Sequence, residues 1–159
     1  MSGTMKAVNK SLMGMVGTTM FVGCLVLAGC GLLAGPQIRD GNGFVTVSAS
    51  ISVSSLMIGD CIYDVSTLGS VVNSVQVVPC KDSHEGEVYA VAKNVENDKA
   101  ALQEYCLGQF QQYVGIEYEV SVLDVTFIHN ESTSPMTDLQ CILFEQGKVV
   151  TTSYKGFEQ

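Results

Sequence analysis

The chain has 159 residues, 47% of them hydrophobic and 15% charged, which excludes a wholly disordered polymer and leaves room for about one core. Sixteen acidic residues against eight basic ones give a formal charge of -8, which argues against nucleic acid or anionic headgroups as a charge-driven partner. The charge is unevenly spread: every acid lies from Asp40 onward, and Lys6 and Lys10 are the only charges before Arg39.

Residues 11–35 form a run of 25 uncharged residues behind Lys6 and Lys10. A basic n-region followed by an apolar stretch is the layout of a secretory signal peptide. Met5-Lys6 offers a second start with a more typical n-region. The run contains Leu27-Ala28-Gly29-Cys30, a Leu, two small residues and a Cys, which resembles the lipobox of bacterial lipoproteins. That resemblance implies acylation of Cys30 and loss of residues 1–29 as a signal peptide. The competing reading is an uncleaved transmembrane helix, since the run is long enough to span ~30 Å of hydrocarbon. Both readings place the remaining chain outside the cytoplasmic membrane, where it carries 16 acids and 6 bases.

Residues 30–55 are rich in Gly and Ser and read as the lipidated Cys followed by a flexible tether. The alternating stretch 45–53 could instead add an edge strand. From residue 56 the signals sharpen into a domain covering 56–159. Residues 56–65, 73–78 and 87–93 read as strands. Residues 97–115 read as the main helix, with Asn97 as N-cap, Asp98 in the first turn and Gly115 at the C-terminal end. Its apolar face is Leu102, Tyr105, Cys106, Phe110 and Tyr113, at three- and four-residue steps. Residues 120–128 form a β-branched strand and 130–137 a polar loop. Residues 138–145 and 149–154 then read as a hairpin turning at Gln146-Gly147. The expected class is α+β: a small antiparallel or mixed sheet packed against one main helix.

Cys24 and Cys30 belong to the leader, which leaves Cys61, Cys80, Cys106 and Cys141. An even number in an extracytoplasmic domain points to two disulfides, and spacing alone does not choose among three pairings. The element pattern helps. Cys106 lies on the helix's apolar face, and Cys141 shares a strand face with Leu139 and Leu143. If those faces meet, Cys106 pairs with Cys141 and Cys61 with Cys80. Cys80-x-x-x-His84 is a weak metal pattern without a second close ligand pair, so neither a metal nor a cofactor is expected. A thiol oxidoreductase would normally show C-x-x-C, which is absent.

Several spaced motifs then agree in order: Gly59-Asp60-Cys61, Val75-Gln76-Val77-Val78-Pro79-Cys80 and His84-Glu85-Gly86-Glu87-Val88-Tyr89-Ala90-Val91. They continue with Cys106-x-x-x-Phe110-x-x-Tyr113-Val114-Gly115, Cys141-Ile142-Leu143 and Ser153-Tyr154-Lys155-Gly156. Together, over about residues 56–157, they resemble the septum-formation domain of membrane-attached or lipid-anchored actinobacterial envelope proteins. The four cysteines fall on that family's positions. The chain departs from it in lacking Trp and in carrying Ser83 before His84, where Pro is common. The resemblance implies a link to septum formation and cell division, with no reaction attached.

Asp60, His84, Glu85 and Glu87 flank Cys61 and Cys80, so a disulfide there would gather them. A carboxylate–His–carboxylate cluster can do acid–base work, bind a cation or contact a partner. The plainer reading is that Asp60 and His84 hold turns around the disulfide. The expected function is a non-enzymatic, lipid-anchored binding module with a protein or cell-wall partner. Its rival is an extracytoplasmic enzyme or metal-binding protein using His84 and the neighbouring acids.

Overall fold

The computed structural model describes residues 37–130 and 134–158. Cys30 and the uncharged run 11–35 lie outside them, as does the choice between cleaved leader and uncleaved helix. No helix among the described residues is long and apolar enough to cross a membrane.

The described strands are β1 (Ala49–Ser52), β2 (Cys61–Ile62), β3 (Ser74–Val78), β4 (Gly86–Glu96), β5 (Asp124–His129) and β6 (Met136–Phe144), with one α-helix, α1 (Lys99–Val114). They form a six-stranded antiparallel sheet in the order β1-β3-β2-β4-β6-β5. The α+β class is therefore as the sequence predicts. The long strands β4 and β6 make the spine, paired from Gly86↔Phe144 to Glu96↔Met136.

Alternation along β6 divides the core in two. Leu139, Cys141 and Leu143 face α1, while Ile142 faces the opposite side. On β4 the register shifts between Val88↔Ile142 and Ala90↔Cys141, leaving Tyr89 as an extra residue. Tyr89 and Ala90 consequently both join the helix-side cluster, and the Tyr89 hydroxyl donates to the Cys106 carbonyl at 2.6 Å. Gly86 starts the strand at a place where a Cβ would lie 2.4 Å from Val65 and 2.9 Å from both Ile142 and the Leu143 carbonyl oxygen.

On α1, the stripe Leu102, Cys106, Phe110 and Val114 is buried at four-residue steps. The N-cap is Asp98, one residue later than expected: its carboxylate accepts from Ala100 and Ala101 N–H, each at 3.0 Å. Asn97 instead donates its N–H to the Pro135 carbonyl, tying it to the neighbouring loop. Gly115 ends the helix at φ 101°, a left-handed conformation that suits glycine. The Cys106–Cys141 disulfide joins helix to sheet across a Cα separation of 5.5 Å.

The second face is closed without a helix. Val45, Val53, Leu56 and Val65 cover Ile62, Val75, Val77, Val88, Ile128 and Ile142. This corrects the flexible-tether reading over the described residues 37–55. They are packed, and β1 is the edge strand, paired Ala49↔Val77 through Ser52↔Ser74. The segment looked like a linker because its buried side chains are widely spaced and separated by Gly and Ser.

Two strands are shorter than expected. Residues 56–65 yield only β2, because 57–60 form a turn with Asp60 N–H donating to the Met57 carbonyl at 3.1 Å. In 120–128 the strand begins at Asp124, after a helical turn at Tyr118–Val120. Residues 149–154 do not return as a hairpin partner. Val150 bridges His84 instead, and the chain then packs against α1, with Gly156 N–H donating to the Tyr113 carbonyl at 3.0 Å.

Candidate functional site

The Cys61–Cys80 disulfide forms, with a Cα separation of 5.2 Å, so both expected pairings are present. It does not gather Asp60, His84, Glu85 and Glu87 into one acid–base group. Each has a separate partner.

Asp60 is 3% exposed and meets Arg39 in a two-pronged ion pair, with Nη1–Oδ1 at 2.5 Å and Nη2–Oδ2 at 2.6 Å. Its Oδ2 also accepts the Met57 N–H at 2.8 Å. Arg39 further donates to the carbonyls of Gly43 and Ser55. The hydrogen bond to Asp60 is the main cause that raises the Arg39 pKa above its ordinary value, so the guanidinium stays charged. The sequence reading overlooked Arg39 by assigning it to a linker. It is the only arginine in the chain, and that was the available signal.

Glu85 caps the turn after β2: its Oε2 accepts from Val65 and Ser66 N–H at 2.9 and 3.0 Å. Glu87 is 1% exposed yet forms no ion pair among the described residues. Its Oε1 accepts the hydroxyls of Tyr113 and Ser153 at 2.6 Å each, and its Oε2 accepts Tyr154 N–H at 2.5 Å. A buried carboxylate with three donors is held as an acceptor. Burial, and then the hydrogen bond to Glu87, push the Tyr113 phenol well above its ordinary pKa.

His84 is fully buried. Its Nδ1 donates to the Asp82 carbonyl at 2.8 Å, and its ring meets Tyr154 edge-on at 6.5 Å. Its backbone exchanges two hydrogen bonds with Val150. Nε2 has no hydrogen-bond partner among the described residues. His129 is placed apart at the end of β5, bonded through Nδ1 to the Asn130 carbonyl oxygen. Among the described residues no three His, Cys, Asp or Glu side chains are arranged to share a metal ion.

Of the four candidates, Asp60 and Glu87 border a cleft of about 380 Å³. Asp60, Glu87, Tyr113 and Ser153 line it on one side, and Phe44, Met57, Ile58 and Lys155 reach it from the surface. A second groove of about 280 Å³ shares Ile58, Tyr113 and Lys155 with it and continues along α1 past Tyr105, Gln109 and Gln112. The cleft combines exposed apolar and amide side chains with an internal frame of hydroxyls and carboxylates. That arrangement suits contact with another molecule's surface.

No family model, curated protein or solved structure matches the chain. The likeness to the septum-formation domain rests on its spaced motifs alone.

Proposed function

We propose that the chain is an extracytoplasmic envelope protein, lipid-anchored at Cys30, that acts as a non-enzymatic binding module linked to septum formation. The binding face is the groove along α1, where Tyr105, Gln109, Gln112 and Lys155 meet a protein or cell-wall partner. One observation carries the non-enzymatic reading. Asp60, Glu85 and Glu87 accept hydrogen bonds from Arg39, backbone amides and hydroxyls, all of which serve to hold loops. The groove beside them has Gln112 and Lys155 exposed and Tyr105 and Gln109 half-buried along its edge. The division link comes from the motif resemblance, and the anchor from Leu27-Ala28-Gly29-Cys30.

Photocrosslinking in growing cells from positions 112 and 155, with position 50 on β1 as control, tests the binding face. A product specific to 112 and 155 is expected, and crosslinks from position 50 alone would overturn it. Fluorescent tagging should place the protein at septa; uniform envelope signal with normal septation after deletion removes the division link. Cys30→Ala should block lipidation and processing. If that variant matures at normal size and stays on the membrane, the uncleaved transmembrane reading replaces the lipobox.

A further inference from the structure

We propose that the apolar rim formed by Phe44, Met57 and Ile58 is a foot that rests on the outer leaflet of the membrane to which the chain is anchored. This rests on the membrane anchor of the preceding section and adds a second, non-covalent contact with the bilayer.

Three observations converge on it. The rim is exposed: Phe44 by 63%, Met57 by 48% and Ile58 by 55%, and all three line the same cleft. Large apolar side chains grouped at a surface mark a contact. The rim is also rigidly built. Residues 38–46 form a tight antiparallel loop, with Arg39 bridged to Val45, Asp40 N–H donating to the Phe44 carbonyl and Thr46 N–H to the Ile38 carbonyl. The Arg39–Asp60 ion pair, with Arg39 also bonded to the Gly43 carbonyl, locks that loop against the turn that bears Met57 and Ile58. Burying that ion pair holds three apolar side chains at one corner, although none of the three lies in the core.

The third observation is the length of chain leading to this corner. Cys30 and Gln37 are seven residues apart, an extended reach of about 25 Å at most. A packed unit of about 120 residues has a radius of gyration of about 14 Å and hence a diameter of about 35 Å. The connection is shorter than the unit is wide, so the anchor confines the side from which the chain emerges to the bilayer. The rim belongs to the same antiparallel loop, because Gln37 and Ile38 lie beside Thr46 and, two residues on, Asp40 N–H donates to the Phe44 carbonyl. Under the transmembrane reading the uncharged run ends at Gly35 and the confinement is tighter still.

Net charge leaves the contact to apolar side chains. With 16 acids against 6 bases from residue 30 onward, the domain as a whole is repelled by an anionic leaflet. Contact is left to the apolar corner of Phe44, Met57 and Ile58. Aromatic and aliphatic side chains enter the headgroup region, and a second weak contact adds to an acyl anchor by raising local concentration. A groove along α1 would then open just above the membrane surface.

The absence of Trp makes the test direct. The full chain, purified from membranes of producing cells, is reconstituted into vesicles of phosphatidylcholine and phosphatidylglycerol containing brominated acyl chains. F44W and V149W provide single fluorophores at the rim and at an exposed apolar site elsewhere. The expected result is co-flotation with vesicles, with F44W quenched at least threefold more than V149W. In addition, M57D/I58D should reduce the quenching of F44W to the V149W level. A chain that fails to float removes the anchor and the foot together. A chain that floats with F44W no more quenched than V149W removes the foot and leaves the anchor standing. Crosslinks from position 44 to a protein rather than to lipid would also overturn the proposal.

Discussion

The two faces of the sheet are closed by different means. On one, α1 satisfies its own backbone and delivers Leu102, Cys106, Phe110 and Val114 as a continuous stripe. On the other, the segments 38–48 and 53–60, which flank β1, and 65–72 supply Val45, Val53, Leu56 and Val65 one at a time. An irregular cover must find partners for its backbone groups elsewhere. Here Arg39 serves Gly43 and Ser55, Asp60 serves Met57, and Glu85 serves Val65 and Ser66. Two of the four polar residues that resemble a catalytic cluster in the sequence, Asp60 and Glu85, are among those that replace a helix's internal hydrogen bonds.

The comparison is put under most strain by removing a side chain from the helix face. Phe110→Ala deletes a fully buried ring and should cost about 4 kcal/mol, read by urea denaturation as a lower midpoint. Both faces should unfold in one transition, and two separate transitions would mean that the faces are independent units. Asp60→Ala should cost about 2 kcal/mol, because it leaves the partly buried Arg39 and the Met57 N–H without their acceptor. Its effect should be regional. Native-state hydrogen exchange is expected to accelerate at 53–65 while 102–114 stay protected, and uniform acceleration would contradict the division of labour.

Alkaline pH sharpens the same contrast, because Tyr89 and Tyr113 both pack on the helix face. Burial raises both phenols above their ordinary value of 10.0. In the unfolded chain they ionise near 10, so the stability they confer is complete below that pH and is lost above it. The decline should reach at most about 1.4 kcal/mol per pH unit for each tyrosine. Thermal melts from pH 8 to 12 should be flat and then fall, and Tyr113→Phe should flatten the fall. The smallest effect belongs to the cap. Asp98→Ala removes one side-chain acceptor for two N–H groups and should cost about 1 kcal/mol, read as a shift in urea midpoint with an unchanged slope.

The sequence and the structure agree best where periodicity is strong. The stripe on α1, the alternation of Leu139, Cys141 and Leu143, and their consequence for Cys106 and Cys141 were all readable, because a repeating element leaves a repeating pattern. The cap was misplaced by one residue, since Asn97 and Asp98 are both good N-caps and only the tie of Asn97 N–H to Pro135 separates them. Residues 37–55 were misread because an irregular cover leaves no period. Its signal is a lone arginine whose partner lies 21 residues away. Glu87 was identified as a candidate, but its burial depends on Tyr113 and Ser153, which converge on it from 26 and 66 residues away. Local patterns do not record such contacts.

The disulfide connectivity has a consequence for assembly. Cys61 joins the next cysteine along the chain, Cys80, and Cys106 joins the next, Cys141. For a chain threaded N-terminus first into an oxidising compartment, each thiol meets its native partner before any other new thiol arrives. An oxidant that simply links cysteines in order of arrival therefore produces the correct bonds, and thiol–disulfide shuffling has nothing to repair. The first bond can close while α1 is still being delivered, but the second must wait for β6. The β2–β3 part of the sheet can thus be stapled before α1 and β6 are in place.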